Sequence, residues 1–187
     1  MSFPTTQAYI RTFFPQLPAA HWIGMGVLAL VLAVFLSLRR KYTPYASITL
    51  GLTVLLGLFL LDALVLIRCG QSAVARPGLD LSAEFRRLVS WEEDTRYLVL
   101  FNAAVFVPFG SVSSEYLSSA GRLKGWRCLK YAVLMAGGLS LCIECLQLIL
   151  RTGIFELTDL VLNTAGAALG AALPLSIRAG CAQGAGR

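Results

Sequence analysis

The chain has 187 residues and a formal charge of +6; 57% of its residues are hydrophobic and only 14% charged, and its mean hydropathy is +0.71. That balance cannot supply the solvated surface a soluble domain needs, so it excludes an ordinary soluble enzyme and indicates an integral membrane protein. The positive charge does not mark a nucleic-acid binder either, because the basic residues fall in short groups at the ends of apolar windows.

The tail Met1 to Pro18 carries one basic residue, Arg11, and has no small-residue cleavage site behind a short apolar core, so it does not read as a cleaved leader. A spanning helix needs about 20 apolar residues. Windows of that length run from Ala19 to Leu38, Ala46 to Ile67, Tyr97 to Leu117, Tyr131 to Leu150 and Leu157 to Ile177. The fold expected is therefore all-α: a polytopic membrane bundle of five transmembrane helices over residues 19–177, with tails at 1–18 and 178–187.

The basic groups Arg39-Arg40-Lys41 and Arg122, Lys124, Arg127 and Lys130 flank the first and third connections. By the positive-inside rule both connections are cytoplasmic, which puts the N-terminus outside, the C-terminus inside and the loop 68–96 on the extracytoplasmic side. Within that loop, Leu81, Phe85, Leu88 and Val89 recur at helical spacing around Glu84, Arg86 and Arg87, which fits equally a short helix lying on the membrane surface and an ordinary connector with solvated charges. His21, beside Trp22, reads as an interface residue. Cys142 and Cys145 have the spacing of a redox or metal pair, but on a helix they point away from the polar face of their span. No metal or cofactor is expected.

The last two windows carry the polar residues that a membrane tolerates least. An Arg, Lys or Asp at the centre of a span costs roughly 2.5 to 3.5 kcal/mol on insertion scales, so each needs a partner, a wet cavity or a route to the surface. At about 100° per residue, Ser140, Glu144, Gln147 and Arg151 fall within one stripe of the fourth span. On the fifth, Glu156, Asp159, Asn163, Gly166 and Gly170 do the same, and Gly166-x-x-x-Gly170 lets another backbone approach closely. Asn102 on the third span and Asp62 on the second lie at the same outer level. Pro108-Phe109-Gly110, deeper in the third, reads as a kink with a packing glycine. Glu144 and Arg151 are too far apart on one helix to pair, so Asp159 is the expected partner of Arg151.

Three ordered motifs in the C-terminal half resemble those of the VanZ-like family of bacterial membrane proteins: Asn102-Ala-Ala-Val-Phe-Val-Pro108-Phe109-Gly110, Glu144-x-x-Gln147 followed by Arg151, and Asp159-x-x-x-Asn163-Thr-Ala-Gly166-x-x-x-Gly170. The resemblance implies a place in the cell envelope and an association with resistance to glycopeptide antibiotics, chiefly teicoplanin and other lipid-tailed members. It implies no particular reaction.

Three function classes fit these residues. The preferred one is a non-enzymatic membrane protein that binds an amphiphile, a lipid-tailed antibiotic or a lipid-linked wall precursor, at the polar cluster of Asn102, Glu144, Gln147, Arg151, Asp159 and Asn163. The second is a small membrane enzyme with Glu144 as general base and Arg151 holding a phosphate or carboxylate, for which the sequence offers no clear nucleophile. The third is a lipid flippase, which requires polar groups to continue inward, where Ala167, Ala168, Ala171, Ala172 and Leu173 are apolar. The expected surroundings are the lipid bilayer and one of these amphiphiles, without nucleic acid.

Overall fold

A computed structural model of the chain describes residues 19–38, 43–65, 77–78, 93–121, 123–152 and 155–184. Five helices follow in order: α1 Ala19–Leu38, α2 Pro44–Leu64, α3 Glu93–Ser119, α4 Trp126–Ile149 and α5 Leu157–Gly184. Three of them, α2, α4 and α5 as far as Arg178, are long and apolar enough to cross a membrane by the residues described. A two-residue parallel pairing, β1 Pro77–Gly78 with β2 Phe155–Glu156, ties the long loop to the α4–α5 turn. The amphipathic stretch at 81–91 and the tail 1–18 lie outside the described residues, as do the basic group at 39–41 and the side chain of His21.

Helix starts follow from local chemistry. Thr43 is extended and its hydroxyl accepts from the Ala46 amide at 3.2 Å, with Pro44 in the first turn, so α2 opens on a capped end and a residue that needs no amide partner. Along α2 the hydroxyls turn back on their own helix: Thr49 bonds the Tyr45 carbonyl at 3.1 Å and Thr53 the Thr49 carbonyl at 2.8 Å. Backbonding of this kind satisfies a hydroxyl inside a span without water.

Packing is closest between α3 and α5. A Cβ built on Gly166 would be driven into the carbonyl of Ala103, one on Gly170 into that of Val107, and one on Gly110 into that of Ala167. Both helices therefore contribute a glycine where the other's backbone arrives. The partners climb together along the two chains, 103 with 166 and 107 with 170, so α3 and α5 run parallel. Leu60, Leu64, Val65, Phe106, Phe109, Ala136, Ile143 and Ala167 form the apolar core at the centre of α2–α5, with the Phe106 and Phe109 rings edge to face at 6.3 Å.

Polar and apolar residues are distributed as a lipid solvent requires. Ser47, Thr49, Thr53, Asp62, Ser113, Ser114, Ser140, Glu144, Gln147 and Asn163 are buried. Ile23, Leu30, Leu134, Ile149, Val161, Leu169 and Ile177 are each more than half exposed, on three helices. Spanning helices must satisfy polar groups inside the bundle and can leave apolar ones outside.

Candidate functional site

Four polar contacts gather at the end of the bundle that carries the α4–α5 turn. Asn102 Nδ2 of α3 donates to Asp159 Oδ1 of α5 at 2.5 Å, and Asn163 Nδ2, one turn further along α5, donates to Ser140 Oγ of α4 at 2.9 Å. Gln147 Nε2 donates to the carbonyl of Leu64 at the last turn of α2, 2.8 Å away. The Glu144 carboxylate accepts from the backbone N–H of Glu156 at 3.0 Å, which holds the start of the α5 segment over the end of α4. Asp62, 2% exposed, sits in the final turn of α2 at the same level as Leu64. All four inner helices thus meet in one polar layer.

The stripe read along α4 holds over its helical part. Ser140, Glu144 and Gln147 are 0%, 2% and 5% exposed, so this face is turned into the bundle. Arg151 departs from it. The helix ends at Ile149, Arg151 takes a left-handed conformation with φ 54°, and its side chain is exposed. The Arg151 and Thr152 amides return to the carbonyls of Leu148 and Gln147, at 3.3 and 2.9 Å. This double return is the Schellman ending of a helix, and it rotates the next side chain off the helical wheel. The expected pairing of Arg151 with Asp159 is therefore corrected: among the described residues Arg151 forms no ion pair, and Asp159 meets Asn102 instead. Arg151 stands at the rim, above a layer whose deeper members are amides and hydroxyls bonded to one another.

Two buried polar atoms of this layer have no hydrogen-bond partner among the described residues: Asn163 Oδ1 and Thr152 Oγ1. Asn163 is 2% and Thr152 5% exposed. Such atoms are uncommon in folded interiors and need an explanation in water, ligand or strain. Pro108 lies within α3 on an exposed position, and Gly110 meets α5 beneath the layer, so neither takes part in the polar contacts. Cys142 and Cys145 are exposed free thiols off the buried face of α4.

The family model for VanZ/LLP1 matches residues 58–178, more than half of the chain. The chain belongs to the VanZ/LLP1 family. No curated protein and no solved structure matches it. Membership agrees with the apolar helices in indicating a membrane protein, and it links the chain in general terms to glycopeptide resistance. The VanZ/LLP1 match opens in α2 just before Asp62 and closes at Arg178, so it takes in every residue of the polar layer and leaves α1 outside.

The opposite end of this VanZ/LLP1 bundle holds a second polar group that no sequence motif marked. Tyr45 OH of α2 donates to Glu115 of α3 at 2.8 Å, and the Arg178 guanidinium of α5 reaches both Glu115 and Ser118. The hydroxyls of Thr49 and Ser119 are hydrogen-bonded at 3.3 Å, with either able to donate. The polar residues of these helices lie near span ends, where a single charge reads as an interface residue. The available signal was Glu115, the one acid in the second half of the third window.

Proposed function

We propose that this VanZ/LLP1 protein is a multi-pass membrane protein of the bacterial envelope, with its N-terminus outside and its C-terminus in the cytoplasm. In this reading it lowers susceptibility to lipid-tailed glycopeptides by binding an amphiphile at the outward polar layer. The amphiphile is the antibiotic itself or a lipid-linked wall precursor.

The observation that supports this most is the division of labour within the layer. Asn163 with Ser140 and Gln147 with the Leu64 carbonyl are deep and mutually engaged, the usual role of amides between spans. Glu144 lies between Ser140 and Gln147 on the same buried face, Asp159 lies one turn outward of Asn163, and Arg151 stands exposed at the rim. A headgroup arriving from the outer leaflet meets the guanidinium first, which suits a phosphate or carboxylate through its paired donors. Thr152 Oγ1, on the next residue, is buried and has no hydrogen-bond partner among the described residues; Asn163 Oδ1 is another such acceptor, deeper at the level of Ser140.

The enzymatic alternative asks for a nucleophile. Ser140, the hydroxyl on Glu144's own face, accepts from Asn163, so it is engaged in joining α4 to α5. The transport alternative gains one argument from the opposite end: α5 is apolar from Ala167 to Leu173 as expected, but beyond it α5 brings Arg178 to that end, and α2 and α3 bring Thr49, Ser113, Ser114 and Glu115. A second polar layer exists, separated from the first by the Phe106–Phe109 core. Binding requires only the first layer and is the simpler reading.

The test compares Glu144→Gln and Arg151→Lys with wild type in a susceptible host. Glutamine still accepts from the Glu156 amide, and lysine keeps the charge without the planar fork. Both variants should reach near-normal membrane levels and lose protection against teicoplanin. A glycopeptide without an acyl tail should show little dependence on the protein in any strain. The double variant should be no worse than either single, because groups acting as one unit are not additive. Full protection by both single variants, or a loss that merely tracks protein level, would reject the binding cluster.

A further inference from the structure

The end of the bundle opposite the α4–α5 turn carries a concentration of positive charge around a built polar group. Arg178, 45% exposed, is anchored by Glu115, 17% exposed, and by Ser118. Lys124, Arg127 and Lys130, all exposed, stand at the start of α4, which the short connection from α3 keeps at the same end of the bundle as Glu115 and Ser118. Among the described residues this end has these four bases against the single acid Glu115, so Glu115 offsets only part of the charge.

A second observation lies beneath it. Ser114 precedes Ser118 by one turn on the same face of α3, is 0% exposed, and its hydroxyl has no hydrogen-bond partner among the described residues; Ser113 beside it is in the same state. Buried hydroxyls normally bond back to their own helix or to a neighbour, as Thr49 and Thr53 do. Here a donor is left over under an arginine.

The surroundings say from which phase a ligand arrives. Trp126 is 71% and Tyr131 46% exposed on the first turns of α4, and Leu134 and Ile177, 58% and 66% exposed, continue the apolar flank away from the charges. Aromatic residues at the level of the charges, with bare aliphatic surface beyond, are the arrangement of a headgroup zone above acyl chains. A ligand that fits both parts carries an anion and a tail.

We propose that this end of the bundle is a binding site for the phosphate headgroup of an anionic phospholipid. Arg178 and the Ser114 hydroxyl supply the directed hydrogen bonds, Arg127, Lys130 and Lys124 supply the attraction, and the acyl chains lie along α4 and α5. Clusters of bases at membrane level attract anionic lipid in this manner, and the buried hydroxyl distinguishes a seat for one headgroup from a diffuse basic surface.

The full chain, purified in an uncharged detergent, is titrated with phosphatidylglycerol, with phosphatidylcholine of the same acyl chains, and with inorganic phosphate, while thermal melting is followed. Phosphatidylglycerol should raise the midpoint by several degrees, and the other two should leave it unmoved. In Arg127→Gln/Lys130→Gln, whose altered side chains are exposed, the rise should disappear with the lipid-free midpoint unchanged. Ser114→Ala should need at least about ten-fold more phosphatidylglycerol for the same rise, the effect of losing one hydrogen bond to a charged group. Equal stabilisation by phosphatidylcholine, the same rise from inorganic phosphate, or a rise that survives in the double variant would each overturn the proposal. A Ser114→Ala response identical to wild type would overturn the seat and leave only a basic surface. None of these outcomes bears on the polar layer at the other end, so the two proposals fail separately.

Discussion

Arg151 is held at φ 54° by the two amide returns that close α4. A residue with a Cβ costs about 1–2 kcal/mol in that conformation, where glycine is at ease. Arg151→Gly should therefore make the protein more stable, by about 0.5 to 1 kcal/mol after the extra freedom of unfolded glycine is counted, while removing the guanidinium from the rim. The expected outcome is a variant that melts higher in detergent and protects less against teicoplanin; a variant that melts higher and protects fully would mean the arginine has no part in binding. This residue also marks where the sequence pattern stopped being readable. The stripe Ser140, Glu144, Gln147 is continuous because the helix is, and all three are buried. The extrapolation to Arg151 assumed another turn of helix, and the glycine that could have announced the ending stands at 153, two residues beyond the position the Schellman turn uses.

Between α3 and α5 the limiting element is backbone volume. Gly166 and Gly170 face the carbonyls of Ala103 and Val107, and a single methyl at either position has no space to enter. Overpacking a well-fitted contact costs typically 1–3 kcal/mol, and here the obstacle is main chain, which yields less readily than a side chain. Gly166→Ala and Gly170→Ala should each lower the melting temperature by an amount at the upper end of about 1–3 kcal/mol. Gly138→Ala on α4 is the control, because a Cβ there meets open space; it should be neutral or stabilising by up to about 1 kcal/mol, the ordinary helix preference for alanine. If the three variants melt alike, the close approach of α3 to α5 is wrong. The small-residue spacing made a close approach legible in α5. It did not say which helix would approach, because Gly110 of α3 sits beside a proline and reads equally well as part of a kink, whereas in the structure it meets the carbonyl of Ala167.

At the scale of the molecule, the bundle is a polar layer at each end with an apolar core between them, enclosed by apolar side chains that face outward. The turn-end layer was readable in advance because its residues recur at helical spacing on two consecutive windows. The basic-end layer was not, since Tyr45, Glu115 and Arg178 come from three helices and show no spacing until α3 and α5 are set parallel. Parallel α3 and α5 also fix what a labelling experiment must find. Lys124 and Arg151 are exposed at the two ends of α4, so in a spanning orientation they lie on opposite sides of the bilayer, and the positive-inside rule assigns Lys124 to the cytoplasm. In a background with the native cysteines replaced, a membrane-impermeant thiol reagent applied to intact cells should label Arg151→Cys and leave Lys124→Cys unlabelled until the cells are lysed. Labelling of both in intact cells would mean that α4 does not cross the membrane. The reverse pattern would turn the bundle over, placing the Glu144 layer in the cytoplasm, where a site for an antibiotic acting outside the cell has no purpose.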